Sequence, residues 1–509
     1  MTLVNRRIFQ DRLLMIVALF AIVWAVIRAY VQSITMDEAD TYFWYVANSD
    51  LWYPFSNNHV LNSILMWIST RAFGMSSLAI RAPALLGAVL FVGACLVLCR
   101  TITNRFSIQL PLFICLTYNP FVFDYMVAAR GYGLADAFLI TAITVLVLHV
   151  VKGRLSPRQA CAWASLALGL SFTANFAFAF VDLAAFLAMT AWAIRQRGQE
   201  SVVRMVAYCV LPGLLVAILV CGYPLAHWEK NDLIWGVHSL SEMRQSLLDS
   251  SLYRLDPRFQ ETAWYKTADF LGPFLPPLLG ILCLGQLIVT TLDGSWSPDD
   301  SWSDDKRDRW LGRFAAALAG IITLSVLLHW LAFRFDSLLL PVGRTGLFLV
   351  PLTTLLAGTI AAVPARTLAS RWLRIGITAV FCGLACYFLL CLRLSYFREY
   401  QWDADAKEVY SVLARYNHAY GIKDIGMTGL FFPALNYYRI SSKEESFSEF
   451  ILESPNPPPG KSIYVMSESV DRNFIEKEKL AIVYRGSFTD VVVAVRPGGP
   501  IPATPDHVD

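Results

Sequence analysis

From residue 12 to residue 392 the chain returns repeatedly to apolar runs of helix length, and this recurrence decides what it can fold into. The runs lie near 12–30, 80–99, 107–125, 133–151, 160–175, 176–194, 205–224, 269–292, 313–333, 341–363 and 373–392, about eleven in all. Roughly 20 apolar residues cross about 30 Å of hydrocarbon. With no water there to satisfy backbone polar groups, each crossing segment must satisfy its own, so each run predicts a helix. The expected fold is mainly α, a polytopic membrane helix bundle. A hydrophobic content of 56% against 16% charged residues excludes a soluble protein of this length. A net charge of +3, with the bases in loops, offers no nucleic-acid surface.

Every second loop is basic. The N-terminus carries Arg6, Arg7 and Arg12, and later loops carry Arg100 and Arg105, then Lys152, Arg154 and Arg158. The positive-inside rule places the N-terminus in the cytoplasm. The loops at 31–79 and 225–268 and everything after 392 then face outward. The first apolar run is long and lacks a small-residue cleavage site, so it reads as a retained helix in a bacterial inner membrane. Ser239 to Leu252 has the spacing of an amphipathic interfacial helix, and the loop at 293–309 reads as a solvated connector. Hydropathy drops after 392. Ala404 to Tyr416 reads as a helix capped by Asp403, and Asp424–Thr428, Ser462–Met466, Leu480–Tyr484 and Val491–Val495 read as strands. The expected division is a transmembrane domain, 1–392, and a small extracytoplasmic α/β domain, 393–509, with a proline-rich loop at 455–460 and a disordered end at 497–509. All ten cysteines lie in or beside apolar runs, with no metal-binding spacing and no disulfide framework.

The stretch most suited to chemistry is the first outer loop. Asp37, Glu38 and Asp40 stand where the first span ends, followed by Tyr42 and its aromatic neighbours, then Asn58 and His59. Charge at the edge of hydrocarbon is costly unless a site requires it. A carboxylate can serve as base for an acceptor hydroxyl. A phosphate leaving group calls for arginine, whose fork matches phosphate oxygens. Arg130 and Arg344 lie at outward helix starts, against the positive-inside pattern.

These motifs resemble the GT-C superfamily of integral-membrane glycosyltransferases, in particular bacterial relatives of dolichyl-phosphate-mannose protein mannosyltransferases and of lipid A aminoarabinose transferases. The resemblance rests on Asp37, Glu38, Ala39 and Tyr42, then Asn58 and His59, Phe73 and Gly74 before Arg81 and Pro83, and Ala129, Arg130 and Tyr132. The chain departs from it at Val60 and Leu61, where relatives often carry proline. The resemblance implies a polyprenyl-phosphate sugar donor and inverting transfer to an acceptor hydroxyl on a glycan, lipid or protein. It makes Asp37 the general base, Glu38 a partner of the acceptor or of Arg130, and Arg130 and Arg344 phosphate contacts. Asp40, Tyr42, Asn58, His59 and Tyr132 line the pocket, membrane lipids surround it, and no cofactor is required.

Each assignment has a plainer reading. Asp37 can simply end the first span, Asp40 can be a solvated acid, Arg130 an interfacial anchor and Arg344 structural. His59 can be a polar loop residue, or with His227 and His238 part of a loose divalent-metal site. Asp136 and Asp182 read as structural acids within spans, and Lys230 and Lys266 as solvated. The alternative function is a transporter or flippase of a lipid-linked saccharide, for which inverted repeats and interrupted helices are the signature.

Overall fold

A computed structural model describes residues 3–196, 201–229, 235–252, 262–292, 306–428, 431–443, 447–454 and 456–498. Lys230, the centre of the expected connector, Pro455 and the last eleven residues lie outside them. Helices dominate: α1 (Leu3–Val31), α2 (Met36–Thr41), α3 (Val60–Phe73), α4 (Ser77–Ile102), α5 (Phe106–Thr117), α6 (Pro120–Tyr125), α7 (Tyr132–Lys152), α8 (Pro157–Ala174), α9 (Ala179–Gln196), α10 (Val202–His227) and α11 (Leu240–Ser251). They continue as α12 (Ala263–Leu271), α13 (Leu275–Leu292), α14 (Lys306–Asp336), α15 (Leu349–Ala362), α16 (Leu368–Leu390), α17 (Ala406–Tyr420), α18 (Phe432–Ser441) and α19 (Arg472–Lys477). Among the described residues, eight helical segments are long and apolar enough to cross a membrane, and α5 and α15 are shorter apolar helices. The chain is an integral membrane protein.

The expected run at 107–125 is interrupted, and its residues say why. After α5, Asn119 accepts the N–H groups of Phe121 and Val122 at 3.1 and 3.2 Å, and Pro120 starts α6, where its missing N–H costs nothing. The run at 341–363 likewise opens with a 3-10 turn, Gly343–Gly346, before α15.

Packing gathers the chain into two compact units. The first comprises Met1–Val26, Leu51–Leu65 and Ala82–Leu392, and the second Ile27–Asp50, Met66–Arg81 and Arg393–Asp509. Where the sequence suggested one cut at 392/393, packing therefore also assigns the carboxylate stretch to the unit that holds the tail. Within the first unit, α8 and α10 cross closely because small residues face each other. A Cβ on Gly169 would meet the Gly213 carbonyl oxygen at 2.5 Å, and the Gly213 N–H donates to Ser165 Oγ at 3.0 Å.

In the second unit, β1 (Ile425–Met427), β2 (Ile463–Ser467), β3 (Ala481–Arg485) and β4 (Val491–Val495) form one sheet in the order β1-β2-β4-β3, with β1 and β2 parallel and the other pairs antiparallel. Alternation gives it two buried faces. Ile463, Val465, Val491, Val493 and Val495 join a core with Val409, Leu413 and Leu435. Tyr464, Met466, Val492 and Ala494 cluster with Ile475 and Leu480. The expected cap is corrected here. The helix begins after Asp405, and Asp403 accepts the N–H of Met36 at 2.8 Å instead.

Asp405 itself is 1% exposed. Its carboxylate accepts the N–H groups of Ser487, Phe488 and Thr489 at 2.9–3.0 Å and the Thr489 hydroxyl at 2.7 Å, pinning the turn between β3 and β4. Asp405→Ala leaves those donors without their acceptor and is expected to cost about 3 kcal/mol. Thermal unfolding of the full chain in detergent should show a lower midpoint, with Asp405→Asn intermediate.

Candidate functional site

In the second unit the corner between α1 and α2 holds the acids. An α-helix ends with carbonyls that have no intrahelical donor, and here Arg81 supplies donors to them. Its guanidinium donates to the carbonyls of Ala29 (3.0 Å), Gln32 (2.9 Å) and Ser33 (2.7 Å), and in two parallel bonds to Glu38, Nε to Oε1 at 2.9 Å and Nη2 to Oε2 at 2.7 Å. Both side chains are fully buried. Glu38 also closes a capping box with Thr35, accepting the Thr35 N–H at 3.0 Å while Thr35 Oγ1 accepts the Glu38 N–H at 3.2 Å. The structure thus gives Glu38 a partner, Arg81, that the sequence reading had seen only as part of an Arg-Pro motif.

The connector before α2 is not helical, so its backbone needs other partners, and the tail provides them. Ile34 N–H donates to Tyr438 Oη at 2.9 Å, Met36 N–H to Asp403, and Ser33 Oγ to the Ala404 carbonyl at 2.7 Å. Asp37, 8% exposed, accepts a hydrogen bond from Tyr400 Oη at 2.9 Å. Tyr400 and Asp403 share a 3-10 helix, Arg398–Asp403, and neither was singled out from sequence as a site residue. Burial raises the Asp403 carboxyl well above the usual range, the Met36 N–H opposes this, and the charges of Asp37, Glu38 and Asp40 add to it. Its Oδ1 is buried with no hydrogen-bond partner among the described residues. The raised carboxyl favours its neutral form beside an acidic helix, which lessens the repulsion Asp37 would otherwise meet. Asp40 is half-buried on α2, and Tyr42 begins a π-helical turn, Tyr42–Ala47, its phenol raised by burial against an opposing pull from Arg71.

The first unit assembles a cationic cluster. Arg130, fully buried, donates to Asn57 Oδ1. The turn carrying it is held by two amides, Asn62 on the Ala129 carbonyl at 3.0 Å and Asn175 on the Arg130 carbonyl at 3.3 Å. Gly131 follows at φ +73°, where a Cβ would meet the Ala174 carbonyl at 2.2 Å, so only glycine lets the chain pass. Asn175 Nδ2 also reaches His59 Nε2 at 3.4 Å, and its Oδ1 takes the Ala177 N–H, which fixes the amide's orientation. Nε2 of His59 is thus the acceptor and Nδ1 carries the proton, buried and without a partner among the described residues. Burial first, then Arg130 and Arg344, hold this imidazole well below its ordinary range, so it is neutral at pH 7. Its ring packs edge-on against Tyr132 at 5.4 Å. Arg344 lies over Trp235 at 5.8 Å, in the turn whose Gly343 N–H donates to Ser246 of α11 at 3.1 Å.

Asn58 donates its amide to the carbonyls of Leu51 and Tyr53 at 3.0 Å and accepts from Ser63 Oγ at 2.9 Å, bonds that hold the loop. His227 and His238 are exposed, and no group of three or more metal-ligating side chains forms among the described residues. Lys266 is exposed on α12, while Asp136 and Asp182 are buried in α7 and α9.

No family model matches the sequence, and no curated protein does. Among solved structures the chain is similar to the crystal structure of ArnT from Cupriavidus metallidurans bound to undecaprenyl phosphate, at 12% identity over 96% of this chain and 98% of that one, with a TM-score of 0.51. The apo state of the same protein matches at 12% identity over 96% and 98%, TM-score 0.48. The cryo-EM structure of arabinosyltransferase EmbB from Mycobacterium smegmatis matches at 9% identity over 84% of this chain and 42% of that one, TM-score 0.43. The first likeness establishes the fold, which is that of the ArnT structure.

Two substitutions test the acidic corner. Arg81→Met leaves Glu38 as a buried charge without its guanidinium and is expected to cost roughly 3–5 kcal/mol. The double variant Glu38→Leu/Arg81→Met should cost less than the sum of the two singles in thermal unfolding. For Asp403, a raised carboxyl adds stability below its unfolded value of about 3.9 and loses it as pH rises through the folded value. Asp403→Asn should therefore match wild type near pH 4 and exceed its melting midpoint by a few degrees at pH 8. A variant less stable than wild type at pH 8 refutes the neutral-acid assignment.

Proposed function

We propose that this protein is a glycosyltransferase that moves a sugar from a polyprenyl-phosphate carrier to an acceptor hydroxyl on the outer side of the membrane. The observation that carries the proposal is Asp37, a nearly buried carboxylate oriented by Tyr400 and set in a helix whose corner is fixed by Arg81. Such a group has one evident use, to accept a proton at a defined place. Asp37 takes the proton of the acceptor hydroxyl, whose oxygen attacks the anomeric carbon. The bond from that carbon to the phosphate oxygen breaks, configuration inverts, and polyprenyl phosphate leaves.

The leaving phosphate needs fixed donors. The first unit's candidates for that role are Arg130, Arg344 and the Nδ1–H of neutral His59, since an imidazole held uncharged by burial and by the two arginines can donate without adding a third charge. The solved ArnT structure that shares the fold is described as bound to undecaprenyl phosphate, which supports this donor class. The charge pattern of the loops supports a cytoplasmic N-terminus.

The test is transfer from radiolabelled polyprenyl-phosphate sugars to envelope extract by purified protein. Asp37→Asn should abolish transfer while donor binding persists. Tyr400→Phe, which removes one hydrogen bond to a carboxylate, should lower kcat about ten- to hundredfold. Full activity in Asp37→Asn protein would sink the assignment.

A further inference from the structure

The second unit contains a cavity that the reaction above does not use. Its volume is about 340 Å³, and Gln401, Trp402, Phe431, Phe488, Thr489 and Asp490 line it. Small-molecule sites begin at roughly 300 Å³. Three features set it apart from a chance surface dimple. Its aromatic walls are left open, Trp402 at 51% and Phe488 at 40% exposed, whereas Phe397 and Tyr400 in the same segment are 2% and 3% exposed. Its geometry is preformed, since the turn presenting Phe488 and Thr489 is pinned by Asp405 and joined to the opposite wall by Gln401 Nε2 donating to the Phe488 carbonyl at 3.1 Å. At its edge Asp490 accepts hydrogen bonds from Ser467 and Ser469, which hold its carboxyl below the ordinary range and keep it ionised.

Flat aromatic faces beside an amide and a carboxylate are the chemistry that recognises a sugar. The rings cover the apolar C–H face of a pyranose, and the polar groups take its hydroxyls. The fixed carboxylate also sets a preference. A neutral or amino sugar gains from it, while a uronic acid or sugar phosphate brings a like charge against it. The cavity is tied to Asp37 through the chain itself, since Trp402 lies two residues after Tyr400, whose ring packs edge-on against it at 6.1 Å. We propose that this pocket is a subsite for a neutral or amino-sugar unit of the acceptor, which makes the acceptor a glycan. The role as acceptor subsite rests on the glycosyltransferase reading, whereas binding of the sugar does not.

The experiment uses the full chain in lipid nanodiscs and three soluble probes: cellobiose, the amino disaccharide chitobiose in its deacetylated form, and a disaccharide containing glucuronic acid. Binding is read by saturation-transfer NMR and by tryptophan fluorescence. Cellobiose or the amino disaccharide should bind, and the uronic acid should bind at least tenfold more weakly. Trp402→Ala, a half-exposed position whose loss opens no core, should weaken binding about tenfold or more, and Asp490→Asn should erase the discrimination against the uronic acid. If none of the three probes binds, or if Trp402→Ala and Asp490→Asn both leave binding and selectivity unchanged, the pocket is not a saccharide site. Failure of sugar transfer with binding intact would instead remove the proposed reaction and leave the pocket standing.

Discussion

The acidic corner depends on one guanidinium. A helix that stops abruptly exposes carbonyls, and a helix that starts with carboxylates concentrates negative charge, so joining α1 to α2 over four residues places two unfavourable ends side by side. Arg81 answers both, with five hydrogen bonds split between three carbonyls and Glu38. A lysine could not, because a point charge lacks the planar fork that addresses both sets at once. Phe397 lies beneath this arrangement with Arg28 and Arg81 over its ring at 5.2 and 5.1 Å, so the aromatic face takes part of the positive charge. The direction in which Asp37 points follows from this corner.

The two units solve opposite electrostatic problems by similar means. In the second, the acids Asp37, Glu38, Asp40 and Asp403 lie near one another, and the repulsion is lessened by pairing one with arginine and by burial that raises the carboxyl of another. In the first, Arg130 and Arg344 lie near His59, and the relief comes from an imidazole that gives up its charge. In each case the group that stays neutral is one whose ordinary pKa is within reach of its surroundings. Arginine's is not, so it is the residue left charged.

Much of this was legible in the sequence, and the reasons differ by element. The helices showed through hydropathy because a membrane leaves a chain no other structure, and the strands showed as β-branched runs because their sheet is buried on both faces. Asp37 and Glu38 stood out by cost. Arg130 stood out by breaking a charge rule, and the glycine after it is where the backbone must pass the Ala174 carbonyl. Tyr400 and Asp403 gave no such signal. An aspartate just before a helix reads as its cap, and only tertiary structure reveals that Asp403 does not cap the helix that follows it and receives the N–H of Met36, at the start of α2, instead. Asn175 was half visible, as the polar residue at the junction of the apolar runs 160–175 and 176–194. Its side chain turns out to order both His59 and the Arg130 turn, a use that depends on three segments meeting and so leaves no local pattern.

The hydrogen bond between Tyr400 and Asp37 joins residues separated by 363 positions. A ribosome adding about ten residues per second makes the second partner on the order of half a minute after the first. Throughout that interval the nascent chain holds a carboxylate helix whose connector N–H groups at Ile34 and Met36 still lack their eventual acceptors. The acidic loop therefore waits as an unfinished surface while the remaining helices are made, and it takes its final form only once Tyr438, whose hydroxyl receives the Ile34 N–H, has been added.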